Sequence, residues 1–279
     1  MLSSRDFEAF VNCGSQGFSK VDAYQKTLYD TEDGKYGISY IFRGKEYGME
    51  QARRVLLKLS GEALSGEKKS GLDEATVRKV ALQVAEAKKD GAEIGIVIGG
   101  GNFWRGRESN AIDRTKADQI GMLATVINCI YVSEIFRSVG LSTAIFTPFA
   151  CGTMTSLFSK DAAVAALKEG KVVFFAGGTG HPYFSTDTGI VLRAIELDAD
   201  VILLAKSIDA VYDSDPAKNP DAKRYDTVSI REVVDKRLQV IDLTASIMCL
   251  ENHMPLQVFD LNKENGIIDA VRGKNLWKR

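Results

Sequence analysis

RVLLKLSGEALSGEKKSGLDEATVRKVALQVAEAKKDGAEIGIVIGGG, residues 54–101, reads as strand, turn, helix and strand. Its first segment, RVLLKLSG, is an apolar run of strand length that breaks at Gly61. Its last, EIGIVIGGG, repeats the pattern and ends on three glycines. Short apolar runs rich in Val, Ile and Leu and closed by glycine belong to strands buried on both faces of a sheet. Between them Asp73 stands where a helix N-cap belongs, Val77, Val80, Ala81, Val84 and Ala85 recur at helical spacing, and Gly91 closes the helix. A helical crossover between two buried strands makes them parallel neighbours.

The pattern continues outward. A long apolar-faced helix is expected over about 116–139, stopped by Gly140. LSTAIFT (141–147) and KVVFFAGG (171–178) read as strands around an Ala-rich helix near 160–169, and a helix near 187–198 leads into the strand ADVILLA (199–205). A strand LQVFDL (256–261) and a helix around 264–272 follow. Alternation of this kind predicts an α/β fold, a mostly parallel central sheet sandwiched by helices. The regular pattern is assigned to one catalytic domain, 49–279. Residues 1–48 have balanced charge, scattered glycines and few sustained apolar stretches. They are expected to be an over-extended start upstream of Met49 or an appendage outside the catalytic core, with Phe7, Phe10, Val11, Phe18, Tyr24 and Leu28 as the residues of an alternative accessory patch.

Net charge is −1 in 279 residues, so no polyanion-binding surface is indicated and nucleic acid is not an expected partner. Cys13, Cys129, Cys151 and Cys249 are scattered, form no CxxC pair, and read as reduced thiols. No uninterrupted apolar run approaches the roughly 18 residues that span a bilayer. The first residues lack a secretion signal, and Asp6, Glu8, Asp22 and Asp30 argue against a transit peptide. A cytoplasmic protein without membrane partners is expected.

Three glycine-rich turns directly follow strands: Ser60–Gly61, Gly99–Gly101, and Gly177-Gly178-Thr179-Gly180. In open parallel sheets ligands bind at the carboxyl ends of strands, where glycine lets backbone N–H groups approach phosphate oxygens. The common nucleotide fingerprints are missing. No G-x-x-x-x-G-K-[ST] occurs, and GGGNFWRG places Trp104 where the third glycine of G-x-G-x-x-G belongs. Charged residues beside the turns each carry two readings. Lys58, inside an apolar strand, is either half of a structural ion pair or an ammonium aimed at a transferring phosphate. Arg105 is a solvated loop arginine or a fork onto phosphate. Asp187 is a helix N-cap, a partner for lysine or Mg²⁺, or both, and Asp118 is a helix-dipole acid or a ligand contact.

Taken together, LLKLSGEAL (56–64), VIGGGNFWRG (97–106), ADQIGMLATVIN (117–128), GTGHPYFSTDT (178–188), ADVILLAKSIDAVYDSDPAKNP (199–220) and VIDLTA (240–245) resemble, in order and spacing, the bacterial UMP kinases of the amino-acid-kinase superfamily. The resemblance covers about residues 50–272. It implies transfer of the ATP γ-phosphoryl group to UMP in pyrimidine nucleotide biosynthesis, directly and in line, with Mg²⁺ arriving on ATP and no metal site of the protein's own. Lys58, Arg105 and Asp187 are the implied catalytic residues. Lys58, Leu59, Ser60, Gly61, Gly101, Arg105, Lys206, Tyr212 and Asp215 are the implied ATP contacts. Gly100, Asp118, Thr179, Gly180, His181, Pro182, Tyr183, Phe184, Ser185 and Thr186 are the implied UMP contacts, Asp118 at the ribose hydroxyls. The loop Gly66, Glu67, Lys68, Lys69, Ser70, Gly71 matches an effector loop used for GTP in some members, UTP is a second candidate effector, and a homohexamer is implied.

Three features depart from the family pattern. His181 stands where asparagine is usual, Ala210 where glycine is usual, and GKNLWKR at the end lacks a short apolar strand. The competing functions are another kinase of the superfamily, acting on a carboxylate or carbamate, and a nucleotide-sensing protein without catalysis. The first would need acid-binding residues in place of GTGHPYFSTD.

Overall fold

The structure, a computed structural model, describes residues 54–68, 70–105, 111–206, 210–214, 218–225, 227–238 and 240–273. The expectations for 1–48, Lys69 and Asp215 lie outside the described residues.

The six expected strands form, and a short edge strand that the sequence did not lead us to expect, β4 (Ser156–Leu157), joins them. With β1 (Arg54–Leu59), β2 (Glu93–Ile98), β3 (Thr143–Thr147), β5 (Val172–Phe175), β6 (Val201–Lys206) and β9 (Leu256–Asp260) it makes one seven-stranded sheet in the order β4-β3-β5-β2-β1-β6-β9. Every pairing in it is parallel. A separate antiparallel ribbon pairs β7 (Val211–Tyr212) with β8 (Arg224–Tyr225).

Strand alternation sends side chains to two cores. Val55, Leu57 and Leu59 join Ile94, Ile96, Phe174 and Leu203 on one face, beneath helices α2 (Glu74–Lys88), α3 (Arg114–Ser138) and α8 (Gly266–Val271). Leu56, Val97, Phe175, Ile202 and Leu204 pack on the other, beneath α4 (Lys160–Lys168), α5 (Thr186–Glu196), α6 (Ile230–Asp235) and α7 (Leu243–Glu251). The remaining helix, α1 (Gly61–Leu64), leaves β1 directly. Burying a Leu or Ile on such a strand contributes about 1.5–3 kcal/mol, so the two cores outweigh any single surface contact.

Asp73 caps α2 as expected, accepting from the Thr76 N–H at 2.8 Å. Helix α3 starts two residues before the expected 116, because the Asp113 side chain accepts from the Lys116 N–H and sets the first turn there. It is 25 residues long and, by length and hydropathy, the one helix among the described residues that suits a membrane span, with 44% of its apolar window buried. Its buried residues include Thr125, Asn128 and Ser133, which face the sheet and its turns. Cys129, Cys151 and Cys249 are free thiols, as read from their spacing.

Candidate active site

β1 is central, flanked by β2 on one side and β6 on the other. Lys58 shares the parity of Leu56, so it leaves β1 toward α5 at the strand's carboxyl end. There its ammonium forms an ion pair with Asp187, both side chains less than a quarter exposed. Asp187 is not the N-cap: Ser185 is, in extended conformation, its hydroxyl accepting from the Asp187 and Thr188 N–H groups at 3.0 and 3.4 Å. With the cap supplied two residues earlier, the Asp187 carboxylate is left for Lys58. Lys206, at the end of β6, belongs to the same cluster. Burial pushes its ammonium below the ordinary lysine range, Asp187 opposes that shift and Lys58 adds to it. Its Nζ donates to the Val240 carbonyl.

Asp242 anchors this corner from below. It accepts from the Ser185 hydroxyl and from Thr188 Oγ1 at 3.1 Å, and caps α7 through the Ala245 N–H at 2.9 Å. One carboxylate thus ties the start of α5 to the start of α7.

Helix α3 registers the glycine turns. Thr125 Oγ1 accepts from the Gly177 N–H at 2.7 Å, and Asn128 Nδ2 donates to the Gly99 carbonyl at 2.7 Å. Gly100 lies against the same helix, and a Cβ there would come within 2.9 Å of the Gly121 carbonyl and 3.0 Å of Ala124 Cβ. The first turn is equally tight: a Cβ on Gly61 would lie 2.1 Å from Asn102 Oδ1 and 2.6 Å from the Gly99 carbonyl.

Between α3, the second and third glycine turns and the 181–186 segment lies an open cleft. Gly100, Asp118, Thr179, His181, Phe184, Ser185 and Thr186 line it, as the resemblance implies, and Trp104, Arg114, Gly121 and Thr125 join them. Pro182, Tyr183 and Gly180 do not line it. Tyr183 takes φ 71°, and its N–H donates to Asp118 at 2.8 Å. Asp118 is therefore no free dipole acid. It also accepts from Arg114 Nε at 2.9 Å, and the Arg114 guanidinium sits 5.3 Å from the Tyr183 ring centre. Thr186 lines the cleft and its neighbour Asp187 holds Lys58, so cleft and cationic cluster meet at the α5 N-terminus.

The other implied contacts are placed less simply. Leu59 is fully buried in the core and its carbonyl accepts from the Gly99 N–H at 3.0 Å, so its side chain is withheld from any ligand. Ser60 caps α1 through the Ala63 N–H at 3.0 Å. Arg105 is exposed and paired with Glu62 at 2.7 Å, and Gly101 lies so close to Glu62 that a Cβ would meet its carboxylate. Tyr212 is on the ribbon strand β7, half-buried. In the effector loop, Gly66 and Gly71 take positive φ, Lys68 Nζ lies 3.8 Å from Asp73, and Glu67 and Ser70 are exposed. The residue reading missed Glu62, Asn102, Arg114, Thr125, Asn128 and Asp242. All six fall inside or beside the quoted motifs; a carboxylate or amide at an element's end was an available signal for Glu62, Asn102 and Asp242, whereas Thr125 and Asn128 lie in the interior of α3.

Residues 53–260 match the sequence model of the amino acid kinase family. The UMP kinase of Ureaplasma parvum is 33% identical, with a TM-score of 0.75 over 80% of this chain and 95% of its own. The UMP kinase of Bacillus anthracis is also 33% identical, with a TM-score of 0.76 over 81% and 93%. The uridylate kinase of Archaeoglobus fulgidus is 25% identical, with a TM-score of 0.62 over 78% and 95%. The chain belongs to the amino acid kinase family and, within it, to the UMP kinases.

Proposed function

We propose that this chain transfers the terminal phosphoryl group of ATP to UMP, giving ADP and UDP, by direct in-line displacement. The observation that carries the mechanism is the Lys58–Asp187 pair, a fixed ammonium at the junction of the glycine turns and the cleft. The attacking UMP phosphate oxygen is already ionised at neutral pH, so no general base is required. What the protein must supply is alignment and positive charge at the transferring group. Lys58 stabilises the charge that develops there, Asp187 holds Lys58 in place, and Arg105 releases Glu62 to meet phosphate.

On the same reading Ser60, Gly61, Gly101, Lys206, Tyr212 and Asp215 contact ATP. Gly100, Asp118 and the 179–186 segment contact UMP. Among the described residues no cluster of three His, Cys, Asp or Glu side chains is arranged to hold a metal ion. Mg²⁺ would arrive bound largely by the substrate phosphates, and Asp187 would be the protein carboxylate to meet it. When bound, Mg²⁺ neutralises phosphate charge.

Steady-state ADP release with UMP, CMP, dUMP and N-acetylglutamate tests the assignment: UMP is expected to be used far better than the others. Preference for N-acetylglutamate, or no turnover of any acceptor, overturns it. Asp118 is the ribose-reading residue in this account. Because the half-buried Asp118 carboxylate would lose one of its hydrogen bonds when the 2′-hydroxyl is missing, dUMP is expected to have a kcat/KM lower by about tenfold or more. Asp118→Ala is expected to shrink that ratio by weakening UMP selectively, and equal use of UMP and dUMP by the wild type contradicts it.

The larger setting follows the same reading: a cytoplasmic, homohexameric enzyme of pyrimidine nucleotide synthesis, with GTP acting at residues 66–71 and UTP a second candidate effector. The exposed stripe on α3, Ile120, Leu123, Ile127, Ile130 and Tyr131, supports self-association, since monomers rarely leave so contiguous an apolar face in water. Ile127→Asp is expected to shift the chain to smaller species in light scattering. An unchanged mass contradicts assembly through this face.

A further inference from the structure

Asn102, in the turn after β2, and Asn128, in the middle of α3, are buried at 4% and 0% exposure with their amides face to face. Asn102 Nδ2 donates to Asn128 Oδ1 at 3.0 Å and Asn128 Nδ2 donates back to Asn102 Oδ1 at 2.8 Å. The remaining hydrogens go to backbone carbonyls, Asn102 Nδ2 to Gly71 at 2.7 Å and Asn128 Nδ2 to Gly99 at 2.7 Å. Those carbonyls accept only, so they fix which way each amide faces. All four N–H hydrogens and both oxygens are used, the condition under which a buried polar network is rigid.

The pair joins α3, the start of the glycine triplet and the end of the 66–71 loop, where the Gly71 N–H also donates to the Asn102 carbonyl at 3.2 Å. It also touches the turn after β1, because Asn102 Oδ1 occupies the space a Cβ on Gly61 would need. Asn102 is thus wedged between the two turns that the proposed function gives to phosphate. Beside the Gly99 N–H bond to the Leu59 carbonyl at 3.0 Å, this amide is a second contact that fixes how Ser60–Gly61 sits against Gly99–Gly101.

We propose that Asn102 and Asn128 are a positioning pair that sets the separation of these two turns and so aligns the ATP phosphoryl group with the UMP phosphate. The inference rests on the function proposed above. Neither side chain touches the reacting atoms. They act through Gly61 and Gly99, and a turn displaced by about 1 Å is enough to cost on the order of a hundredfold in rate.

The test is steady-state kinetics of Asn102→Ala, Asn128→Ala and the double variant beside the wild type, with UDP and ADP counted separately and folding followed by circular dichroism. The expected result is a kcat for UDP formation lower by about thirtyfold, with both KM values changed less than about threefold. ADP released per UDP formed should rise above the wild-type ratio as misaligned ATP loses its phosphoryl group to water. The double variant should fall close to the worse single variant, because the two amides act as one unit. A folded variant with a near-normal kcat, or with raised KM at unchanged kcat, overturns the proposal. Where an alanine variant is unfolded at the assay temperature, Asn102→Ser, which keeps a short hydroxyl donor, is read by the same criteria. Failure of every variant to fold also overturns it, because the pair is then required for folding and not for alignment. A wild-type chain that forms no UDP refutes the proposed function itself, a result distinct from any seen only in the variants.

Discussion

Lys58→Ala is expected to lower kcat by roughly a hundredfold or more while leaving thermal unfolding cooperative, the size of effect seen when one preorganised charge is removed from a transition state. The side chain is less than a quarter exposed and its ammonium is committed to Asp187. Removing it leaves a carboxylate beside the transferring phosphate, so the local charge changes from balanced to repulsive. Lys58→Arg is expected to recover only part of the loss, because the guanidinium is longer and fork-shaped where the site holds a compact ammonium. Near-normal kcat in Lys58→Ala, with a lowered midpoint of unfolding, would leave Lys58 as a structural ion-pair partner only.

Gly61→Ala is expected to be severely damaging. The added methyl would lie 2.6 Å from the Gly99 carbonyl, a backbone atom, and 2.1 Å from the clamped Asn102 amide oxygen. Neither neighbour is the loose end of a flexible side chain. Relief therefore separates the turns after β1 and β2, at about 1–3 kcal/mol of stability, and activity is expected to fall by about a hundredfold or more. Gly101→Ala provides the contrast. Its methyl would meet Glu62 Oε1 at 2.1 Å, but that carboxylate ends a flexible, half-exposed side chain and can swing aside. Because Gly101 is itself placed at ATP, the contrast is read in stability: a fall in the midpoint of thermal unfolding for Gly101→Ala equal to that for Gly61→Ala contradicts this account of the turns.

The sheet was legible because burial on both faces makes most positions of its central strands apolar, and glycine ends the runs of β1, β2 and β5 where the backbone turns. The short pieces were not: α1, β4, α6, α7 and the β7–β8 ribbon hold too few residues for a period to emerge. At α5 two good cap formers stand two apart, and only the extended backbone of Ser185 decides between them. Helix α3 is apolar on its sheet-facing side and again on an exposed stripe. The two faces blur the 3.6-residue period that distinguishes inside from outside. The glycine turns and Lys58 were visible as candidates. The Asn102–Asn128 pair was not, because its partners are 26 residues apart in sequence and meet only after α3 packs on the sheet.

The most direct measurement is ³¹P nuclear magnetic resonance of the purified chain with ATP, UMP and Mg²⁺, which follows the γ-phosphorus itself and is not misled by stray ATP hydrolysis. The expected result is that the γ signal of ATP is replaced by the β signal of UDP in step with the appearance of ADP, and that this slows by roughly a hundredfold or more in Lys58→Ala. Inorganic phosphate as the product, or no change with UMP present, would contradict it.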